Sequence, residues 1–107
     1  LSDKKTKIPP QLSGGEKQML LIAMAMIGKP SLVMLDEPTE GLAPHVIKDL
    51  ASIFKKLSKT TTLFIVEQNL PLIAEIADRV YCMKEGKVVN EITSRDDIGN
   101  MQFEKYL

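Results

Sequence analysis

Leu12-Ser-Gly-Gly-Glu-Lys-Gln18 and, a short way on, Ser31-Leu-Val-Met-Leu-Asp-Glu-Pro38 decide how this 107-residue chain is read. The first stretch is a glycine turn opening a helix, and the second is an apolar strand ending in paired carboxylates. Ser13 and Glu16 have the Ser-x-x-Glu spacing of a capping box, in which the two side chains satisfy amides that the first helical turn leaves unpaired. The helix is expected to run to about Ile27, where Gly28 and Pro30 stop it. Its run from Met19 to Ile27 is apolar all round, the pattern of a helix buried on most sides.

Outward from these two motifs, helices alternate with strands. Leu32 to Leu35 is a short unbroken apolar run, as in a strand covered on both faces. Pro44 starts a helix whose Val46, Ile47, Leu50, Ile53, Phe54 and Leu57 recur at helical spacing. Thr60 to Val66 is β-branched and strand-like. Pro71 to Ala77 predicts a helix and Val80 to Met83 a strand, with Lys84-Glu85-Gly86-Lys87 turning into Val88-Val89. The order predicts an α/β fold with a mostly parallel sheet and flanking helices. Residues 1–11, polar and carrying Pro9-Pro10, read as an incoming connector, and residues 12–107 as one structural block.

Composition narrows the function classes. Lys+Arg 14 against Asp+Glu 14 leaves no global field to gather nucleic acid or anionic lipid. The lysine groups, Lys4, Lys5 and Lys7 and again Lys55, Lys56 and Lys59, read as solvated faces. Cys82 is alone, which excludes an internal disulfide, and His45 is the single histidine, too few soft ligands for a zinc site. A reducing, cytoplasmic setting is expected. The longest apolar run falls far short of the roughly 20 residues that cross a bilayer, so membrane contact is expected to be peripheral.

Asp36 and Glu37 suit divided labour at a strand end, one carboxylate near a hydrated magnesium ion and the next polarising an attacking water. Taken alone, Asp36 equally fits a turn cap before Pro38. Gly14 and Gly15 open a helix end whose unpaired amides and partial positive charge make an anion site. Ser13 and Glu16 explain a capped helix, but two glycines inside a first turn cost roughly 1 kcal/mol each against alanine. Close approach by a phosphate is one reason to keep them. A phosphate loop of its own is missing, since that requires Gly, four residues, then Gly-Lys-Ser/Thr. Gly28-Lys29 is followed by Pro30 and has Ala23 in the first glycine's place; Gly86-Lys87 is followed by Val88 and has Tyr81 there.

These residues resemble the carboxyl-terminal half of an ABC transporter ATPase subunit. Leu12 to Glu16 is similar to the family's signature, usually Leu-Ser-Gly-Gly-Gln, with Glu16 in the last place, and Leu32 to Glu37 resembles its Walker B strand. The resemblance implies a partial P-loop NTPase fold lacking the Walker A strand and loop. It implies Asp36 as the magnesium-side carboxylate, Glu37 as catalytic base, and Gln68 at the switch position, a role beside the base. Ser13, Gly14, Gly15 and Glu16 would meet the ATP of a second, head-to-tail subunit. Glu37-Pro-Thr-Glu-Gly-Leu-Ala-Pro44 and Val66-Glu-Gln-Asn69 resemble the segments of branched-chain amino-acid importer ATPases. Ala43 stands where the family's D-loop usually has aspartate, and Gln68 can donate a hydrogen bond but carries no charge. His45 is read as a surface residue at a helix start.

The implied partners are a second ATPase subunit, membrane permease subunits and an amino-terminal half bearing the phosphate loop. The implied cofactors are ATP and magnesium, neither held tightly by this chain alone, which is expected to be inactive. In the family the phosphate-loop strand lies between the strands matching Thr62–Val66 and Val80–Met83, so a free sheet edge and self-association are expected. The carboxyl-terminal head lobe of an SMC or Rad50-like ATPase is the rival reading, since it shares Leu-Ser-Gly-Gly-Glu. Pro38, Gly41-Leu-Ala-Pro44, the missing coiled-coil heptads and the lack of a basic DNA track stand against it. A non-catalytic interaction fragment is the plainest alternative.

Overall fold

The computed structural model describes residues 14–107, so the connector 1–11, Leu12 and the Ser13 cap lie outside the described residues. The chain forms two compact units that meet in sequence at Val66/Glu67.

In the first unit α1 spans Gly14–Ala25, β1 Leu32–Asp36, α2 Pro44–Leu57 and β2 Thr62–Val66. β1 and β2 pair in parallel, with Leu32 opposite Thr62 and Asp36 opposite Val66. Parallel neighbours need a crossover, and α2 supplies it. Pro44 lies in the first turn of α2, where its missing amide costs nothing, and Leu50, Ala51 and Phe54 are buried along its apolar stripe. The Thr61 hydroxyl, almost fully buried, donates to the Pro30 carbonyl at 3.4 Å, tying the chain ahead of β2 to the chain ahead of β1.

Two expectations are corrected here. α1 ends at Ala25 and buries only Gly15 and Ile22, while Leu20, Leu21 and Met24 are exposed. β1 is covered on one face only: Val33 is buried, whereas Leu32 and Met34 are 51% and 70% exposed. Phe64 and Val66 of β2 are also exposed and lie opposite Met34 and Asp36 in the register. Because side chains alternate along a strand, these residues line one open apolar face of the β1–β2 pair. An apolar run records a demand for cover, and this chain meets only half of it.

In the second unit α3 spans Leu70–Ile76, β3 Val80–Lys84, β4 Lys87–Ile92 and α4 Arg95–Gly99, followed by a 3-10 turn at Gln102–Tyr106. β3 and β4 form an antiparallel hairpin. Its two turn residues, Glu85 and Gly86, both have positive φ, 51° and 78°, as in the two-residue turns whose twist matches a hairpin. Ala74, Val80, Cys82, Ile92, Ile98 and Phe103 make the core. Arg95 donates from its guanidinium to the Ala74 and Ala77 carbonyls, closing the orphan acceptors at the end of α3.

Burial raises the Cys82 thiol above its ordinary pKa. The sign follows: the unfolded thiol ionises at lower pH than the folded one. The contribution to stability is therefore complete below the unfolded value and is lost as pH rises through the folded one. Maleimide is expected to label native Cys82 much more slowly than the denatured chain at the same alkaline pH, as followed by mass spectrometry. Equal rates would show that the thiol is accessible.

Candidate functional site

The carboxylate end of the site is built by the β1–β2 pair. Asp36 is the last residue of β1 and is exposed; Glu37 leaves the strand. The Glu37 amide donates to the Val66 carbonyl at 2.7 Å, extending the ladder by one bond, and its φ of 47° then turns the chain into the left-handed region. A non-glycine residue held there costs of order 1–3 kcal/mol and persists only where the surroundings impose it. Pro38 and Thr39, both buried, follow at once, and the Glu40 and Leu42 amides donate to the Glu37 and Thr39 carbonyls. Asp36 thus closes the strand, and Glu37 begins the turn that leaves it.

The glycine motif opens the first turn of α1. Gly14 is exposed, Gly15 buried and Glu16 half-buried. A Cβ on Gly15 would lie 2.7 Å from Cγ1 of Val46, and one on Gly14 3.3 Å from Cδ2 of Leu42. Gly15 therefore has a packing reason, close contact with Val46 at the start of α2, besides the phosphate approach that the motif suggests, whereas the end of the flexible Leu42 side chain can yield at Gly14. Spacing alone could not have found it, since Val46 lies a whole strand and turn away.

In the second unit, Gln68 is exposed at the turn leading into α3. The Glu67 carboxylate accepts from the Gln68 and Asn69 amides at 2.9 and 3.2 Å, and Asn69 Oδ1 accepts from the Leu72 amide at 3.1 Å. Two side chains thus set the backbone on either side of Gln68. The Asn69 cap was not among the sequence-based expectations, although asparagine just ahead of a Leu-Pro helix start is the signal that could have found it. Two surface clefts, one bounded by Asn100 and Lys105 and one by Asn90 and Tyr106, carry none of the sequence-predicted residues.

No group of three or more His, Cys, Asp or Glu side chains gathers as a metal site among the described residues. The donors that are present suit magnesium, which keeps several waters and takes one or two carboxylates with substrate phosphates rather than an all-protein cage. Asp36, exposed at a strand end, is such a carboxylate. No helix among the described residues is long and apolar enough to cross a membrane.

The ABC transporter family model matches residues 1–40, which hold both the signature turn and β1 with its carboxylates. The branched-chain amino acid transport ATP-binding protein BraG of Pseudomonas aeruginosa is 44% identical over 79 residues, 73% of this chain and 34% of that protein. The arginine transport ATP-binding protein ArtM of Bacillus subtilis is 37% identical over 92 residues, 85% of this chain and 38% of that protein. Among solved structures, MJ1267, an ATP-binding cassette of an ABC transporter, superposes with a TM-score of 0.80 at 26% identity, covering 94% of this chain and 40% of that one. The chain thus spans between a third and two fifths of the length of these relatives. At 44% and 37% identity over 73% and 85% of its length, the chain belongs to the ABC transporter ATP-binding family.

Proposed function

We propose that this chain is the carboxyl-terminal half of the ATP-hydrolysing subunit of an amino-acid importer of the branched-chain type, peripheral to the cytoplasmic face of the membrane through permease subunits. The observation that carries the reading is Glu37, held by the Val66 carbonyl and turned out of the strand directly after Asp36. Gly41-Leu-Ala-Pro44, Val66-Glu-Gln-Asn69 and the likeness to BraG support the branch. In this reading Glu37 accepts a proton from the water that attacks the terminal phosphate, and Asp36 orients the waters around magnesium. Magnesium, when bound, neutralises charge on the phosphate oxygens. Gln68 donates a side-chain amide hydrogen bond toward the γ-phosphate. Ser13, the amides at Gly14 and Gly15, and Glu16 serve the nucleotide of a second subunit in trans.

Each motif therefore needs a phosphate grip that other residues supply. Calorimetry on the purified chain is expected to find ATP binding weaker than micromolar, and an intact subunit containing this segment is expected to bind ATP at micromolar concentration or below. Micromolar binding by the chain alone would overturn the division into halves.

The sheet edges bear on assembly as well. Among the described residues β2 pairs only with β1 and β3 only with β4, which leaves strand edges open to a second chain. Sedimentation of the purified chain is expected to show self-association that rises with concentration. A strictly monomeric profile across the micromolar range would refute it.

A further inference from the structure

We infer that Val46 is a positioning residue for the signature turn and that Gly15 lacks a side chain because of Val46 rather than because of the nucleotide; the functional side of this inference rests on the composite-site reading above. Gly15 is buried, and the Cβ it lacks would sit 2.7 Å from Val46 Cγ1, 3.4 Å from Cγ2 and 3.6 Å from Cβ. The neighbour cannot simply swing aside. Val46 lies in the first turn of α2, and a β-branched residue in a helix has one strongly preferred χ1 rotamer. Gly14 makes the matching approach one residue earlier, 3.3 Å to Leu42 Cδ2 for its absent Cβ. The first turn of α1 is thereby seated on the same stretch, Leu42 to Val46, that leads away from Asp36 and Glu37. A side chain at position 15 pushes α1 off this seat and carries its amides away from the phosphate they face. The amide itself survives a change to alanine, so what the substitution removes is position rather than a hydrogen bond.

The local energetics oppose each other and make the test sharp. Alanine is the better helix former, by roughly 1 kcal/mol over glycine, whereas overpacking against a neighbour with no free rotamer costs about 2–3 kcal/mol and outweighs it. Gly15→Ala is therefore expected to be harmful only while Val46 is present. The measurements are the melting temperature of the chain and steady-state ATP hydrolysis by the intact subunit for Gly15→Ala, Val46→Ala and the double variant. Gly15→Ala is expected to lower the melting temperature by about 5 °C or more and kcat by about tenfold or more, with a smaller change in KM. In the double variant both quantities are expected to recover most of the loss. An unchanged melting temperature in Gly15→Ala overturns the inference. So does a double variant that recovers its melting temperature but stays as slow as Gly15→Ala, because the nucleotide itself then demands the glycine. Failure of the composite-site reading has a different sign, micromolar ATP binding by the chain alone, and it leaves the melting data to decide the packing.

Discussion

Glu37→Gln in an intact subunit is expected to lower kcat by about 10² to 10⁴ while ATP binding persists. The amide is isosteric with the carboxylate, so the left-handed backbone, its bond to the Val66 carbonyl and the turn through Pro38 and Thr39 stay as they are. What disappears is the capacity to take a proton from water. Single-turnover hydrolysis separates this from a binding defect: the chemical step should slow while nucleotide titration is unchanged. Hydrolysis at the wild-type rate would remove Glu37 as the base. A parallel loss of binding would instead place the residue in ground-state recognition.

Phe103→Ala is expected to destabilise the second unit by about 3–5 kcal/mol, the usual cost of truncating a buried phenylalanine. Phe103 is 1% exposed and packs into the cluster of Ala74, Val80, Cys82, Ile92 and Ile98, while its carbonyl lies 3.8 Å from Cys82 Sγ. A loss of that size is a large share of the 5–15 kcal/mol that a whole domain commands, and this unit is a small one. Hydrogen exchange on the β3 and β4 amides should accelerate sharply. Unchanged protection would mean that Phe103 covers the hairpin without holding it.

The helices and strands up to β4 were legible because periodicity reports burial, whereas α4 and the 3-10 turn are too short to show a period. The stripe Val46, Ile47, Leu50, Ile53, Phe54 and Leu57 forms α2, with Leu50 and Phe54 at its centre and the others half-buried at the flanks. The hairpin was legible from Glu85-Gly86, since a two-residue turn with positive φ at both positions calls for glycine. Cover was not legible. The apolar runs at Met19–Ile27 and Leu32–Leu35 state what should be hidden but not which residues hide it, and Leu21, Met24 and Met34 stand exposed here.

Of the candidate residues the sequence declares the types, and the fold supplies their surroundings. Asp36 and Glu37 declare a carboxylate pair, yet nothing in two adjacent acids predicts the left-handed backbone at Glu37. Ser13, the residue on which the capping reading leaned, lies outside the described residues. Gly15 was read toward a ligand because a motif is local, whereas its neighbour Val46 arrives through the fold.

The backbone at Glu37 has a further consequence, for evolution in the laboratory. Glycine adopts its φ of 47° without strain, so at this position selection for thermal stability and selection for turnover favour different residues. A library of variants sorted only for heat resistance is expected to drift away from glutamate here, and, on the proposed role of Glu37 as base, one sorted for ATP turnover by the intact subunit to hold it. Where those two optima diverge within a sequence, they mark the positions that the chemistry has claimed from the fold.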